Sequence, residues 1–454
     1  MKAVVKSAKE FDERARNLGI DELILMENAG AKLAKIAKKA LRKKGVKNGR
    51  ILILLGQGNN GADGLVAARH LQNAHCFVVD KSLKKSALFE KQEQIARNLG
   101  VKFLDKKPHF QSFDCIIECV FGSGQTRAVS ENLQELINEV NKSHALKIAC
   151  DMPVNLGFTP CFNADISATM GAVKEILLED YAKESVGKIK RVNLGLDEKL
   201  YAPNVNSFLL EKGDLELIKR RINANKSDFG HGFIYANASA GSLAGLSALN
   251  FGIGLVSLVG AKPFSPLIMQ KARLDESASA VALGMGLDDL SVLDEPLLAK
   301  IPVILDANAF LSEKIRPFFQ RQDVVLTPHP KEFARLWQIA FDENISTQEI
   351  QKNRFKFVDK FTQKFACTLV LKGANTIIAQ KEQKFICTLG NAALAKGGSG
   401  DALAGMILAL LCAKFSPLNA AKNAVLAHAL AAKAYKFNPN SFDALKLIKG
   451  LKCL

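Results

Sequence analysis

The stretch Ile51–Leu71, ILILLGQGNNGADGLVAARHL, decides the fold. Five aliphatic residues in a row, Ile51 to Leu55, read as a strand buried on both faces, the kind found in parallel sheets covered by helices. Gly56, Gly58, Gly61 and Gly64, interleaved with Asn59, Asn60 and Asp63, predict a tightly turning loop, and the apolar run after them predicts a helix over Leu65 to Leu71. Strand, glycine loop and helix in that order open an α/β domain in which ligands bind beyond the carboxyl ends of the strands. The spacing is not G-x-G-x-x-G, and two adjacent asparagines suit a cation or a ribose–phosphate better than a pyrophosphate turn. On these residues alone, a structural asparagine-rich turn stands level with a binding loop.

Outward from this stretch the first half continues to alternate apolar strands with helical segments, with strands predicted at residues 115–118, 146–150 and 191–196. Two of these strands end in acidic groups. Glu118 precedes a second glycine loop, Gly122-Ser123-Gly124-Gln125-Thr126-Arg127-Ala128, and Asp151 precedes Met152-Pro153. Between Leu196 and Asn225 the alternation weakens and polar residues take over, which marks a domain joint. The second half repeats the α/β theme, with strands predicted at 233–236, 255–259, 303–306, 324–326 and 368–371.

The second half carries the sharpest chemical signal, Lys396-Gly397-Gly398-Ser399-Gly400-Asp401, leading into the apolar helix Ala402 to Leu411. Backbone N–H groups at such a helix start converge on an anion, and the absent side chains let a phosphate approach. Asp401 beside that hole is placed to take a proton from a hydroxyl attacking phosphorus. An isolated Gly-x-Gly-Asp would be read as a connector with an N-cap; the buried helix that follows favours the phosphate reading. Thr327-Pro328-His329-Pro330-Lys331-Glu332 and Lys372-Gly373-Ala374-Asn375-Thr376 follow two further strands, and Asp306 ends another.

A chain of 454 residues, 48% hydrophobic and 24% charged, is too long for one core, so two domains are expected. The net charge of +17 is spread along the chain without interleaved aromatics, which argues for a solvated basic surface and against a nucleic-acid partner. The nine cysteines form no C-x-x-C pair and read as reduced core thiols. No apolar run reaches the length of a membrane span and the first residues lack a signal-peptide core, so a cytoplasmic, membrane-free protein is expected.

The string GQGNNGADGLVAARHL, the loop VFGSGQTRAV and the strand end at Asp151 resemble the motifs of the NAD(P)H-hydrate epimerases. That resemblance implies binding of a hydrated nicotinamide dinucleotide by Asn59, Asn60, Gly61, Ala62 and Asp63, by Gly122 to Ala128 and by Asp151, with Asp151 as the acid or base. It also implies a potassium ion held by Asn60, Glu118 and Val154. Glu118 stands where that family usually has Asp, and Val154-Asn155 where it has Ser-Gly.

In the second half, KSDFGHG from Lys226, LTPHPKEFARL, VLKGANTII and GNAALAKGGSGDALAGMI resemble the ADP-dependent NAD(P)H-hydrate dehydratases of the ribokinase-like branch. The implied roles are substrate binding by His329 and Asp401, nucleotide binding by Lys372, Gly373, Ala374, Asn375, Thr376 and Gly400, and catalysis by Asp401. ADP would be the co-substrate, with magnesium on its phosphates. Together the resemblances imply a Rossmann-like three-layer epimerase domain over residues 1–210 and a ribokinase-like α/β dehydratase domain over 211–454, assembling as a homo-oligomer. The runner-up is a small-molecule kinase with a non-catalytic first domain.

Overall fold

The structure is a computed structural model and describes residues 1–7, 9–197 and 204–454. Its contacts divide the chain into Ala3–Val205 and a second unit made of Met1–Lys2 with Asn206–Leu454. The division thus falls at 205/206, ahead of the expected 210/211, because the strand Ser207–Leu209 pairs in parallel with Gln383–Cys387 of the second unit. The polar joint expected between Leu196 and Asn225 lies partly outside the described residues.

The first unit is built on a seven-stranded parallel sheet in the order Lys102–Phe103, Ala74–Val78, Ile51–Leu55, Cys115–Cys119, Leu146–Cys150, Ile166–Met170, Lys188–Val192. Ile51, Ile53 and Leu55 pack into one core with the helices Glu22–Lys43 and Asn59–Arg69, while Leu52 and Leu54 pack into another with Glu131–Asn141. Successive side chains of a strand point to opposite faces, so an all-apolar strand needs cover on both sides, and helices supply it. Chain order runs one way from Ile51–Leu55 to Ala74–Val78 and the other way to Cys115–Cys119. The carboxyl ends of the strands at this switch point form the natural crevice.

Two expectations in this unit need correction. The helix starts at Asn59, not Leu65, with Gly58 as its N-cap. Gly61 and Gly64 therefore lie inside the helix, and their small size serves close packing: a Cβ on Gly61 would lie 1.9 Å from the Gly56 carbonyl oxygen. The strand placed at 191–196 runs instead from Lys188 to Val192. It is an edge strand with exposed lysines, which masked its pairing in a reading based on apolar runs.

The second unit carries strands in the order Met269–Lys271, Leu255–Val259, His231–Tyr235, Ala280–Leu283, Val303–Leu305, Val324–Leu326, Thr368–Leu371, Thr376–Gln380, Gln383–Cys387, Ser207–Leu209. All pair in parallel except at Thr376–Gln380, which runs antiparallel to both neighbours. Helices Ala238–Phe251, Ser399–Cys412 and Pro417–Ala434 share one core with Ile234, Ile304, Val325 and Val370. A second packed group joins Phe333, Trp337 and Phe341 of helix Pro330–Phe341 to Phe357, Phe361 and Phe365, with ring centroids 4.1 to 6.4 Å apart. The α/β class expected for both halves is what the chain adopts. Among the described residues no helix is long and apolar enough to cross a membrane.

Candidate functional site

In the first unit a cavity of about 400 Å³ opens at the switch point and is lined by Asn59, Asn60, Asp63, Gly122, Ser123, Gly124, Asp151 and Lys174, together with Asp12, Glu22 and Met26. Gly61, Ala62, Gln125, Thr126, Arg127 and Ala128 do not line it. Gln125 instead exchanges two hydrogen bonds with Asn155, accepting from its backbone N–H at 2.9 Å and donating to its Oδ1 at 3.3 Å. Asn155 adopts φ 65°, a conformation easy for the glycine usual in the epimerases and, among side-chain-bearing residues, best tolerated by Asn and Asp.

Asp151 sits at the end of its strand with φ 68°, also in the left-handed region. The conformation is held from several sides. Its N–H donates to Ala168 at 2.9 Å, Oδ1 accepts from Met170 N at 3.0 Å and from Lys174 Nζ, and Oδ2 accepts from Ser123 N at 3.2 Å. Such over-determined strain clusters where a side chain must be aimed. Lys174 is only 1% exposed and also donates to Thr169 Oγ1 at 3.0 Å and to the Met170 carbonyl at 2.9 Å. A buried ammonium persists only beside a compensating charge, and Asp151 supplies it. Asp63 shares the cavity; burial first, then the charges of Asp151 and Asp12, hold its carboxyl well above the usual range. The cavity thus holds one aspartate paired with a buried ammonium and a second whose carboxyl burial holds above its ordinary pKa, two carboxyls in different surroundings of the kind acid–base catalysis uses.

Glu118 is wholly buried, and its two oxygens accept from Val120 N at 2.7 Å and Val154 N at 3.0 Å. Burial pushes its pKa up to about 8 against the pull of these N–H groups. Asn60 Nδ2 is buried without a protein partner. The Val154 carbonyl is already used, accepting from Phe162 N at 3.1 Å.

In the second unit Asp306, Glu332, Lys372, Gly400 and Asp401 come together. Lys372 Nζ donates to Asp306 Oδ1 at 2.9 Å and lies 3.7 Å from Glu332 Oε2, and a Cβ on Gly400 would lie 3.5 Å from Lys372 Nζ. Burial alone would lower the Lys372 pKa, but Asp306, Glu332 and Asp401 outweigh it and hold the ammonium charged. Gly398 caps the helix Ser399–Cys412 at φ 86°, where a side chain would be strained and would also strike Leu243 and Ala444. Asp401 lies in the first turn of that helix, and burial and then the Asp306 charge raise its pKa to about 6, opposed by Lys372. The helix begins at Ser399, a turn's edge earlier than the Ala402 read from sequence.

His329 is the N-cap of helix Pro330–Phe341: its Nδ1 accepts from Lys331 N at 3.2 Å and Glu332 N at 3.4 Å, and Glu332 Oε2 accepts the His329 N–H in return. Nδ1 therefore acts as an acceptor and Nε2 carries the proton, 3.3 Å from Glu332 Oε1. Gly373 and Ala374 are exposed, Asn375 is buried, and Thr376 opens the antiparallel strand.

Three polar residues escaped the sequence reading. Lys174 is one. Arg354, fully buried, donates to the carbonyls of Leu371, Lys372 and Asn375 at 3.0, 3.1 and 2.6 Å and so clamps the loop that carries Lys372. His428, on helix Pro417–Ala434, bonds Ser399. A signal existed for two of them. Arg354 occupies the stripe of Val358, Phe361 and Phe365, where an apolar residue is the rule, and His428 interrupts an alanine-rich buried helix.

If Asp401 acts as a base it must be ionised, so a reaction at the second cluster would be lost in acid. For enzyme saturated with ADP, log(kcat/KM) falls with unit slope below a midpoint at or above about 6, because the bound anion adds to the charges already raising Asp401. A profile flat down to pH about 4, the ordinary range for a carboxylic acid, removes Asp401 as the base.

Residues 22–176 match a family model described as "YjeF-related protein N-terminus", and residues 235–452 one described as "NAD(P)H-hydrate dehydratase". The chain is 37% identical to the bifunctional NAD(P)H-hydrate repair enzyme Nnr of Helicobacter pylori over 100% of both chains, and 31% identical to that of Escherichia coli over 88% of this chain and 84% of the other. Among solved structures, an ADP/ATP-dependent NAD(P)H-hydrate dehydratase from Bacillus subtilis co-crystallised with ATP and Mg2+ aligns with 52% of this chain and 92% of its own at 30% identity and TM-score 0.45.

Proposed function

The chain belongs to the bifunctional NAD(P)H-hydrate repair enzymes, and from that premise we propose how its two halves divide the work. The first unit interconverts R- and S-NAD(P)H hydrate, and the second dehydrates the S form to NAD(P)H at the expense of ADP. The observation that carries this is Asp401: a carboxyl raised to about 6 beside Lys372 and a glycine-lined helix start is a general base tuned to neutral pH next to an anion site.

Hydroxide is a poor leaving group, so the C6 hydroxyl of the hydrate must first be activated. Asp401 takes the hydroxyl proton as the oxygen bonds to the β-phosphorus of ADP and the bond to the α-phosphate oxygen breaks, releasing AMP. The N–H groups at the start of helix Ser399–Cys412 and the Lys372 ammonium face the charge that develops on the phosphoryl oxygens. The ring nitrogen lone pair then expels phosphate, and loss of a C5 proton restores the ring double bond. In the first unit Asp151 takes the C6 hydroxyl proton while Asp63, protonated, donates to the ring nitrogen as the C6–N bond opens; reclosure on the other face gives the other epimer.

Magnesium would neutralise the nucleotide phosphates. Among the described residues no group of three His, Cys, Asp or Glu stands ready to hold a metal, and Asp306 and Glu332 face Lys372, so the phosphates and water would supply most of its ligands. For potassium in the first unit, Glu118 offers a buried carboxyl, and Asn60 would contribute its Oδ1, since its unpartnered buried atom, Nδ2, is a hydrogen-bond donor that does not bind a cation. Val154 would offer only its carbonyl oxygen, which accepts from Phe162 N much as each Glu118 oxygen accepts from a backbone N–H. Self-assembly and a cytoplasmic location belong to the same proposal, and exposed Phe264 and Leu267 beside the edge strand Met269–Lys271 support a self-contact face.

Phosphorus NMR of S hydrate with ADP tests the reading. AMP and inorganic phosphate appear in equal amounts with no lasting phosphoester. An accumulating phosphoester of the dinucleotide, or of another alcohol supplied, points to a kinase.

A further inference from the structure

Within the dehydratase reading, on which this rests, we infer that the Ser399 side chain is a catalytic hydrogen-bond donor to the transferring phosphoryl group and that His428 is the positioning residue that frees it for that role. The helix N-terminus by itself offers only backbone N–H groups. The added observation is the pair of contacts made by one imidazole nitrogen: His428 Nε2 lies 3.0 Å from the Ser399 carbonyl oxygen and 3.1 Å from Ser399 Oγ.

A carbonyl oxygen only accepts, so Nε2 at that distance carries the hydrogen. An Nε2 that is already a donor has no lone pair in the ring plane with which to accept from Oγ. The Ser399 hydroxyl proton must therefore point away from His428, and among the described residues its oxygen shows no other hydrogen-bond partner. With the opposite tautomer, Ser399 would be the donor, but an Nε2 lone pair would then face the carbonyl at 3.0 Å, which is repulsive. The charged form is disfavoured as well: burial, against the help of the Ser399 carbonyl and with the Lys372 charge adding, lowers the imidazole pKa to about 4. The neutral ring with Nε2–H is thus the form present at working pH.

Ser399 is the first residue of helix Ser399–Cys412, between Gly398 in the left-handed region and Gly400, whose open side faces Lys372 Nζ. A hydroxyl here joins the backbone N–H groups and the ammonium around one anion. It exchanges no atom with the substrate; it gives one hydrogen bond to a non-bridging oxygen that gains charge as the bond to the leaving AMP lengthens. An interaction that strengthens in the transition state shows in kcat, with little change in ADP affinity.

The experiment uses the full chain with S hydrate and ADP and compares wild type, Ser399→Ala, Ser399→Thr, His428→Leu and the double variant S399A/H428L. Ser399→Ala loses about 10²-fold in kcat, with ADP affinity by calorimetry and thermal midpoint close to wild type. Ser399→Thr, which keeps the hydroxyl, recovers most of the rate. His428→Leu also lowers kcat, and its cost shrinks in the Ser399→Ala background because both act through the same hydroxyl. The inference is overturned if S399A keeps its kcat, if rate falls only in step with ADP affinity and thermal midpoint, or if the two costs add in full. A wild-type chain with no ADP-dependent dehydration overturns the reading beneath it as well, whereas an active wild type with an indifferent S399A removes this inference alone.

Discussion

Replacing Asp401 by Asn abolishes ADP-dependent dehydration of S hydrate, a loss of about 10³-fold or more in kcat, while R-to-S conversion by the same chain continues at the wild-type rate. The amide keeps the size of the side chain and its place in the first turn of helix Ser399–Cys412, so the anion hole survives and ADP still binds. What is lost on the proposed mechanism is the group that takes the hydroxyl proton. Asp306 is committed to Lys372 through a 2.9 Å bond, and Glu332 caps the N–H of His329. Removing the Asp401 charge also relieves repulsion with Asp306, so the variant is expected to unfold at the same temperature as wild type or above it. Recovery of reduced-nicotinamide absorbance by D401N at more than a tenth of the wild-type rate sinks the assignment.

Asp151→Asn has the opposite selectivity. Epimerisation falls about 10²- to 10⁴-fold, and dehydration of pure S hydrate is untouched. The substitution also leaves Lys174 buried without its carboxylate, and breaking a buried pair costs about 3–5 kcal/mol. A lower thermal midpoint is therefore part of the expected result, and rates belong well below it. If D151N, still folded at the assay temperature, epimerises within tenfold of wild type, Asp151 only binds and Asp63 is left as the acid–base group to test.

How much of this was legible in the residues depends on what each motif had to encode. Ile51–Leu55 reads as a buried strand because every side chain obeys the same rule, and it sits at the switch point of its sheet. The helix start at Asn59 was hidden because glycine usually marks a turn; here Gly61 and Gly64 are small so that helix and strand ends can touch, a reason that exists only in three dimensions. Ala280–Leu283, central to the second sheet, escaped because its alternating alanines carry little strand preference.

The sites show the same division. Asp401, Lys372 and Asp151 stand in glycine-rich or strand-end contexts that mark them in sequence as candidates for chemistry. Lys174, Arg354 and His428 bond Asp151, the Lys372 loop and Ser399, and spacing alone does not reveal a partner 21 to 29 residues away. The loop Gln125 to Ala128 errs the other way: it belongs to the motif, yet Gln125 braces Asn155 and does not line the cavity.

The central claim is that one chain carries both activities, and the most direct measurement supplies it with pure R hydrate and ADP and follows reduced-nicotinamide absorbance to its end point. The account predicts complete recovery with one AMP and one phosphate formed per NAD(P)H, since R hydrate must pass through the first unit before the second can use it. Recovery no faster than the spontaneous conversion of R to S hydrate, with S hydrate consumed normally in a parallel assay, contradicts it.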